Sequence, residues 1–477
     1  MSPPAGATAE EVIDSPNPRR WWILAVVLVA EVMDLLDGTI VNIAAPSIQA
    51  DLGGSNSVLQ WTIAGYTLAF AVMLITGGRL GDIVGRKRMF VIGAAGFTLS
   101  SVACGLAPSV DLLLVARVAQ GLFGAALIPQ GLGMIKAVFP SKELPMAFGL
   151  FGPVIGLSAV AGPILGGFLI DADLFGSGWR SVFLINIPFG IAAIVGAVAL
   201  MPESRSPKAA RLDPFGVVLI SAAAFGLIYP LVQGRELDWP AWCFAMMAAA
   251  VVLFGAFVLY ERRSDSPLIE ASLLRNRAYT SGLFVIAAFF AALIGFMLIF
   301  SVFIQIGLGY SPMDAGLTLA PMSLGMAIGA GLSGALLAPR FGRRILHVAL
   351  MVIVVGIAGV WLTLEIGDGQ FSGWDFAPAM FVIGIGSGLA VAPLFDIILA
   401  GVQQQEVGSA SGVLTAVQQL GTSIGVAVVG TLFFQLLPTD GFLDSMQSAL
   451  WVVAALFVLA LPLVFLLPKK AEHELTH

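Results

Sequence analysis

Charged residues are scarce in this chain. Asp, Glu, Lys and Arg make up 11% of its 477 residues, whereas hydrophobic residues make up 58% and the mean hydropathy is +0.96. One soluble core cannot bury that much apolar surface, so the composition argues against a soluble globular fold. The net charge of −6 belongs to the connections between hydrophobic stretches, and it indicates no nucleic-acid partner.

Cysteine and histidine are also rare. The two cysteines, Cys104 and Cys243, lie in apolar stretches and give no sign of a disulfide framework. The three histidines form no catalytic or metal-binding cluster, because His347 opens a hydrophobic segment while His473 and His477 lie in the C-terminal tail. The phosphate-binding pattern G-x-x-x-x-G-K-[ST] does not occur. We therefore expect no enzyme activity, no cofactor or metal, and no use of ATP as energy source.

Long hydrophobic segments dominate the rest of the chain. A bilayer core of about 30 Å requires roughly 20 apolar residues per helix. Fourteen segments are long enough: 21–46, 58–78, 89–107, 111–136, 145–170, 180–201, 213–233, 240–260, 278–308, 313–338, 345–364, 376–400, 407–436 and 445–467. The sequence therefore predicts an all-α integral membrane protein with fourteen transmembrane helices.

The basic residues lie on one side of these segments. Twenty of the twenty-three Lys and Arg occur in alternate connections or in the tails, and the other connections hold only Arg180 and Arg235. Lys and Arg are retained in the cytoplasm during membrane insertion, so we predict that both termini are cytoplasmic. The N-terminus lacks the order of a cleaved signal peptide. We expect a disordered cytoplasmic tail over residues 1–20 and a second tail over residues 468–477.

A basic loop motif occurs twice. Gly85-Arg86-Lys87, after the second segment, matches Gly342-Arg343-Arg344, after the tenth. Two six-helix halves would place the copies six helices apart, whereas they are eight apart, so two helices are inserted. The sequence thus predicts a six-helix bundle over 21–201, two inserted helices over 202–277 and a second six-helix bundle over 278–467. Parallel repeats of this kind are a transporter architecture with the substrate site between the halves.

Three acidic residues lie inside the first segment. Glu31, Asp34 and Asp37 are spaced by three, which places them on about one face of a helix. Like charges in a low-dielectric site cannot all stay ionised, so these groups can take up and release protons, unless they are only hydrogen-bonded within the bundle. Asp37 lies about 13 Å, and Arg117 about 9 Å, from the outer ends of their helices. This match in depth predicts an ion pair between them; alternatively, Arg117 extends to the membrane surface.

Four motifs in this order resemble those of a known family. Residues 36–46 (LDGTIVNIAAP), 78–88 (GRLGDIVGRKR), 117–121 (RVAQG) and 162–167 (GPILGG) are similar to the helix-one, loop 2–3, helix-four and helix-five motifs of the fourteen-helix drug:proton antiporters of the major facilitator superfamily. The resemblance covers about residues 20–467. Ser158 stands where the helix-five motif has a further glycine, and because serine is small we expect close packing to survive.

The resemblance implies roles for individual residues. It gives Arg117 a part in proton transfer and places the protein in the bacterial inner membrane. The loop 2–3 residues would form a gate that locks the halves in the outward-open state, and the helix-five residues would favour exchange over symport. The loop residues are Gly78, Asp82, Gly85 and Arg86, and the helix-five residues are Gly162, Pro163, Gly166 and Gly167.

These motifs also have simpler physical interpretations. Asp82 can cap a neighbouring helix or accept hydrogen bonds from its N-terminus, or the loop can serve only to set topology by its positive charge. The Gly-Pro motif of helix five permits close helix contact and a bend.

Aromatic and amide side chains are candidates for substrate contact. The candidates are Trp61, Tyr66, Phe289, Phe296, Phe300, Gln305, Gln418 and Gln419. The phenylalanines lie, with Phe303, on one side of helix nine, and such rings suit flat apolar or cationic molecules. Alternatively, these rings face lipid or pack on neighbouring helices, Trp61 anchors the interface, and the glutamines bond across helices.

The sequence thus predicts a proton-coupled antiporter that exports lipophilic or cationic drugs by alternating access, as a monomer in the lipid bilayer. Protonation of the Asp34/Asp37 group from outside would discharge the substrate, and release of the proton inside would readmit cargo. One alternative is an exporter of the same fold dedicated to one cargo, such as a self-made antibiotic, a siderophore or a lipid. Another is a transport-dead sensor or scaffold, against which the buried charges argue.

Overall fold

The computed structural model describes residues 17–140, 143–205, 212–264, 267–333, 337–367, 371–400, 402 and 406–468, and within these ranges it contains helices and no strands. Of the predicted tails, residues 1–16 and 469–477 lie outside the described residues.

The first half contains six long helices. They are α1 (Arg20–Leu52), α2 (Ser57–Val84), α3 (Arg86–Gly105), α4 (Val110–Val138), α5 (Phe151–Asp171) and α6 (Asn186–Leu200). Short helices precede α5 at Leu144–Gly149 and α6 at Ser181–Leu184, and 3-10 turns cover Leu174–Gly176 and Gly178–Arg180. The start of α4 has a side-chain cap, because the Ser109 hydroxyl accepts a hydrogen bond from the Leu112 N–H at 3.4 Å.

The remaining helices form an inserted hairpin and a second half. The hairpin consists of α7 (Pro214–Gln233) and α8 (Ala241–Glu261), joined through the 3-10 turn Arg235–Leu237. The second half begins with α9 (Arg277–Val302), which ends in a π-helical turn over Phe303–Gly307, followed by α10 (Pro312–Leu332), α11 (Arg344–Ile366) and α12 (Gly373–Ala400). Short helices cover Ala271–Arg275 and Ala338–Phe341.

A single run of helix, Val407–Val464, closes the second half, but it is not one straight helix. Gly441 within it has φ +74° and ψ −179°, which is outside the helical region. Glycine adopts such a positive φ without the steric cost that a side chain would add. We call residues 407–440 α13 and residues 442–464 α14.

Eleven stretches of the described chain are long and apolar enough to cross a membrane. The 33-residue α1 is not among them, because its apolar part contains the three acids Glu31, Asp34 and Asp37. The described apolar part of α5 is short, Ala161–Asp171, and α13 with α14 counts as one stretch. Each of the fourteen predicted segments nevertheless falls on a helix.

Glycine allows the helices to approach one another closely. A Cβ on Gly425 of α13 would lie 2.0 Å from the carbonyl oxygen of Ala291 in α9, and a Cβ on Gly384 of α12 would lie 1.9 Å from that of Met322 in α10. Lipid offers no hydrophobic driving force between helices, so association depends on such close van der Waals contact. The abundant glycines therefore mark helix crossings.

The bundle has two chemically different ends. We call the end that carries the α2–α3 and α10–α11 connections, with Arg86 and Arg343, the basic end. The opposite end carries the α1–α2, α5–α6, α7–α8 and α9–α10 connections, and we call it the acidic end because Asp51, Asp171 and Glu236 lie there.

The two halves meet along three helix pairs, which we call the seam: α1 with α9, α2 with α13, and α5 with α10. The Ser301 hydroxyl donates to the Asn42 carbonyl at 2.7 Å, and the Met313 N–H donates to the Asp171 carboxylate at 3.1 Å. These bonds, and those that Gln60 and Thr67 form with α13, all engage the acidic-end half of α1, α2 or α5. The molecule is therefore closed at the acidic end.

The glycine contacts lead to a stability prediction. Gly425→Ala places a methyl group against the Ala291 backbone, and overpacking of this kind costs about 1–3 kcal/mol. Gly412→Ala is the matched control on the same helix, because no atom lies within 4 Å of its Cβ position. Alanine favours a helix over glycine, so this control should be neutral or slightly stabilising. Thermal unfolding of the two purified variants in detergent tests this, and equal melting temperatures would contradict the packing argument.

Candidate functional site

A buried ion pair joins α1 to α4. The Arg117 Nη1 atom lies 2.6 Å from Asp37 Oδ2, and the two side chains are 1% and 0% exposed. The ion pair predicted from depth is therefore present. Arg117 does not extend to the membrane surface, because its guanidinium is enclosed by protein.

Polar side chains from neighbouring helices complete the coordination of Asp37. Its Oδ1 atom accepts hydrogen bonds from Gln120 Nε2 at 2.7 Å and from Asn186 Nδ2 at 2.9 Å. Both amides also donate to the Ser101 hydroxyl, at 2.8 and 3.2 Å. With three donors on two oxygens, the carboxylate is satisfied in its charged form, which is what makes its burial tolerable.

Arg117 is held from its other side by α2 and by two rings. Its Nε donates to the Thr62 carbonyl at 2.9 Å, and its Nη1 also donates to Gln120 Oε1 at 2.7 Å. The guanidinium carbon lies 4.3 Å from the Tyr66 ring centroid and 5.6 Å from that of Phe183, which adds cation–π attraction. The rotamer of this cation is thus fixed by five groups.

Tyr66 connects the ion pair to a second carboxylate. Its hydroxyl donates a short hydrogen bond to Asp34, one turn of α1 from Asp37, while its ring lies beside Arg117. Tyr66 is 2% exposed. The structure therefore places this predicted substrate residue between the cation and the acid.

The other two acids of α1 have a different environment from Asp37. Asp34 and Glu31 are partly exposed, and among the described residues Glu31 has no hydrogen-bond or ion-pair partner. Gly38, one turn further along this face, is exposed and has no atom within 4 Å of its Cβ position. A space therefore lies beside the face of α1 that carries Glu31 and Asp34, whereas Asp37 faces the interior of the first half.

Four residues of this site were missing from the sequence prediction: Thr62, Ser101, Gln120 and Asn186. Gln120 lies inside the helix-four motif, three residues from Arg117, so helical spacing could have identified it. Asn186 carried a weaker signal, namely an amide inside an apolar segment, which membrane proteins rarely tolerate without a partner. Thr62 contributes only its backbone carbonyl, which no sequence pattern reveals.

In the loop 2–3 motif at the basic end, Asp82 and Arg86 bind within the first half, whereas Arg79 donates to the Pro267 carbonyl in the connection before the second half. Asp82 accepts two hydrogen bonds from the Arg86 side chain, at 3.0 and 3.2 Å, and Arg86 also donates to the Gly133 carbonyl at 2.7 Å. The expected capping of a neighbouring helix is thus not seen in this conformation: the bonds come from a guanidinium and not from backbone N–H groups. Gly85 has φ +119°, a conformation that favours glycine.

The helix-five motif brings α5 close to α1 of its own half and to α10 of the second half. Cβ atoms on Gly162 and Gly166 would lie 2.1 Å from Thr39 Oγ1 and 3.1 Å from Ile40 Cγ2 of α1. On the other side, a Cβ on Gly167 would lie 2.5 Å from the Pro312 carbonyl of α10, and one on Gly316 would lie 2.4 Å from the Pro163 carbonyl. This motif therefore forms part of the seam.

The fold coincides with that of known transporters. The Major Facilitator Superfamily model matches residues 27–426, most of the chain. The chain belongs to the Major Facilitator Superfamily. A peptide transporter POT, solved in complex with sulfate, has the same fold: the TM-score is 0.67 at 16% identity, and the match covers 98% of this chain and 100% of the other.

The curated relatives are antibiotic export and resistance transporters. The chain is 54% identical over 426 residues to a probable actinorhodin transporter of Streptomyces coelicolor, covering 88% of this chain and 74% of the relative. It is 36% identical to a puromycin resistance protein of Streptomyces alboniger, covering 87% and 82%. It is 34% identical to multidrug resistance protein Stp of Mycobacterium tuberculosis, covering 84% and 73%.

In this major facilitator protein, the phenylalanine stripe of α9 packs against other helices. Phe289, Phe296 and Phe300 are each 0% exposed. The rings of Phe296 and Phe300 stack with centroids 5.5 Å apart, and Phe300 meets Phe376 of α12 edge-on at 5.4 Å, while Phe289 meets Phe457 of α14 at 5.8 Å. No ring of the stripe faces a space in this conformation, so the packing alternative describes their positions.

The remaining substrate candidates divide into two groups. Gln305 belongs to the seam, because its amide donates to the Ile43 carbonyl at 3.1 Å and to the Ser301 hydroxyl at 2.9 Å. Trp61 is partly buried against Tyr229 of α7, with centroids 6.0 Å apart. Gln418 and Gln419 of α13 are partly exposed, and no side-chain hydrogen bond to another described residue is recorded for them. These two amides keep hydrogen-bonding capacity for a ligand.

The ion pair predicts unequal effects of neutralising the acids of α1. Asp37→Asn leaves the buried Arg117 charge without its counterion, which should destabilise the protein by about 3–5 kcal/mol. Asp34→Asn keeps an acceptor for the Tyr66 hydroxyl and should cost less than about 1.5 kcal/mol, the net value of one hydrogen bond. Thermal unfolding in detergent measures both. Equal losses of stability would show that the Asp37 carboxylate is not the counterion.

Proposed function

We propose that this protein exports small lipophilic or cationic compounds, including antibiotics, across a bacterial inner membrane in exchange for protons by alternating access. The observation that carries the proposal is the arrangement of two carboxylates on one helix. Asp37 is buried in an ion pair with Arg117, and Asp34 lies next to it with access to a space. Among the described residues no cluster could hold a metal ion, and we assign no cofactor.

The proposed topology has fourteen transmembrane helices and a cytoplasmic basic end with both termini inside. The number follows from the eleven apolar stretches by adding α1 and α5 and by dividing the last run at Gly441. A 58-residue helix would extend about 87 Å, far more than a bilayer core of about 30 Å, so it must cross twice. With this orientation the seam closes the outer side, and the described conformation is inward-facing.

The two acids have different parts in the proposed mechanism. Asp37 keeps its place in the ion pair, since its carboxylate accepts from three donors, one of which is the charged Arg117 guanidinium. Asp34 has one hydrogen-bond partner among the described residues and borders a space, so it is the group that gains and loses the proton. A cationic substrate and a proton would then compete for the same negative charge, which is the requirement for exchange. Glu31, nearer the basic end on the same face, would extend the proton path towards the cytoplasm.

Tyr66 offers a physical route from the proton to the conformation. Its hydroxyl bonds Asp34 and its ring lies 4.3 Å from the Arg117 guanidinium carbon. When Asp34 is protonated, the negative charge that attracts the hydroxyl proton disappears and the hydrogen bond weakens. The ring is then free to shift, and with it the packing of α2 against α4. Glycine at position 121 makes this contact tight, because a Cβ there would lie 2.3 Å from the Tyr66 carbonyl.

A transport assay on everted membrane vesicles tests proton coupling. With an acidic interior, the parent protein should accumulate ethidium, and a protonophore should abolish the accumulation. Asp34→Asn should lose the gradient-driven accumulation yet retain ethidium exchange between loaded vesicles and medium, because exchange needs no proton. Glu31→Gln is the matched control one turn away and should lose less. Undiminished gradient-driven accumulation by Asp34→Asn would contradict the assignment of Asp34.

A second candidate function has the same fold and mechanism but one dedicated cargo. It is favoured by the 54% identity to a probable actinorhodin transporter, which is named for a single compound. The relative named a multidrug resistance protein favours the broader range.

The range of cargo can be measured directly. Cells that express the protein should gain resistance to several unrelated cationic dyes if the range is broad. If it is a dedicated exporter, resistance should be confined to one aromatic antibiotic, and dye accumulation should equal that of cells expressing the Asp34→Asn variant. Both results are compatible with proton coupling, so this comparison separates the two functions without testing the mechanism again.

A further inference from the structure

The inserted hairpin lies against the seam between the two halves. Its first helix, α7, packs against α2 of the first half and against α13 of the second. These are the two helices that meet at the acidic end, where Gln60 of α2 donates to the carbonyls of Val426 and Ala427 at 3.0 and 3.1 Å. The hairpin therefore contacts both sides of a joint that alternating access must open.

Glu236, in the loop between α7 and α8, attaches the hairpin to the first half. Its Oε1 accepts a hydrogen bond from the Ser57 N–H at 3.0 Å, and its Oε2 accepts one from the Ser57 hydroxyl at 3.1 Å. Ser57 is the first residue of α2, and Asn56 before it makes no side-chain capping bond. Glu236 thus supplies the missing cap and brings a negative charge to the positive end of the α2 dipole.

A second set of contacts attaches the hairpin to the second half. The Thr431 hydroxyl of α13 donates to the Leu231 carbonyl of α7 at 2.6 Å, and its oxygen lies 3.2 Å from Gln60 Nε2. Arg235 places its guanidinium carbon 5.7 Å from the Phe434 ring of α13 and its Nη2 3.2 Å from Glu236 Oε1. The two charged side chains are only 14% and 19% exposed, so water screens them less than a surface pair.

The two attachments differ in how readily they can separate. The contact with α13 combines the buried Thr431 hydroxyl bond with the packing of α7 along that helix. The contact with α2 combines the Glu236 bonds with packing of α7 that includes Trp61 against Tyr229. When α2 and α13 separate at the acidic end, the hairpin cannot follow both. The Glu236 carboxylate is 19% exposed at the acidic end, so its bonds can be exchanged for water more readily than the buried Thr431 bond.

We propose that the inserted hairpin stays with the second half and holds the acidic end closed by capping α2, with Glu236 as the positioning residue. This inference rests on the alternating access of the proposed function and adds a role for the two inserted helices. It predicts that loss of the Glu236 contact shifts the molecule towards the state that is open at the acidic end, without any change at Asp34, Asp37 or Arg117.

Distance measurements between spin labels test this inference on the full chain. The labels are placed by Ala50→Cys at the end of α1 and Thr439→Cys at the end of α13, both exposed positions, after replacing the buried Cys104 and Cys243. Glu236→Ala should raise the ratio of long to short distances about fivefold. This factor is the usual free energy of a helix-capping contact converted to an equilibrium ratio. Glu236→Gln should give a smaller rise, because its amide oxygen still accepts from Ser57 but carries no charge.

Asp238→Asn is the matched control in the same loop. Asp238 is exposed, has φ +55°, which Asn tolerates, and is recorded without a side-chain hydrogen bond to the rest of the described chain. This variant should keep the parent distances. Unchanged distances in Glu236→Ala would overturn the inference.

A milder substitution covers the case in which Glu236→Ala does not fold. Ser57→Ala removes one of the two bonds to Glu236 and should shift the distances in the same direction; no shift would again overturn the inference. The distances are measured without cargo or gradient, so the result is independent of transport. A shift in a protein that shows no proton-coupled export would retain the hairpin inference and reject the proposed function.

Discussion

The cost of a charge in a membrane interior shapes the first half of this protein. Arg117 and Asp37 would each be expensive to bury alone, and together they are tolerated only because amide, hydroxyl and carbonyl groups satisfy both. The pair lies on α1 and α4, its direct partners come from α2, α4 and α6, and Ser101 of α3 holds two of those partners. The ion pair therefore fixes how these helices pack, and a change in any one of them is felt by the charges.

The seam follows a different physical rule from the interiors of the halves. Inside the second half, large rings such as Phe296, Phe300 and Phe376 interlock and resist displacement. Between the halves, hydroxyl, amide and carboxylate groups form hydrogen bonds beside apolar packing, and glycine faces such as Gly167 and Gly316 lie among them. Polar bonds of this kind can be exchanged for water when the halves part, and smooth glycine faces leave no side chains to disentangle. The residue types at each interface thus match whether the proposed mechanism requires that interface to open.

Much of this arrangement could be predicted from the sequence, and the exceptions have a common cause. Hydropathy located the long helices, and depth along the membrane paired Asp37 with Arg117. Both are properties of position along one axis. Neither hydropathy nor depth shows how each helix is rotated about its own axis. The stripe that contains Phe300 was therefore compatible both with a cavity and with a packed interface. Gln305 was recognised as a polar residue within a helix, but its place in the seam depends on which helix of the other half faces it. The family resemblance predicts a gate at the loop 2–3 motif, but the partner of Asp82 depends on which conformation the protein adopts.

Helix α2 connects the parts of the molecule that the proposed mechanism requires to move together. At its acidic end Ser57 receives the hairpin carboxylate, and three residues later Gln60 crosses the seam. Tyr66 then joins Asp34 to Arg117, and at the basic end Asp82 binds Arg86. These positions extend over about 38 Å of one helix at 1.5 Å per residue. A helix transmits a displacement along its axis with little loss, because its hydrogen bonds lie parallel to that axis. In the proposed mechanism, a proton that alters the Tyr66 contact would therefore act through α2 on the closed acidic end and on the basic loop at once, which is the coupling that an alternating-access exchanger needs.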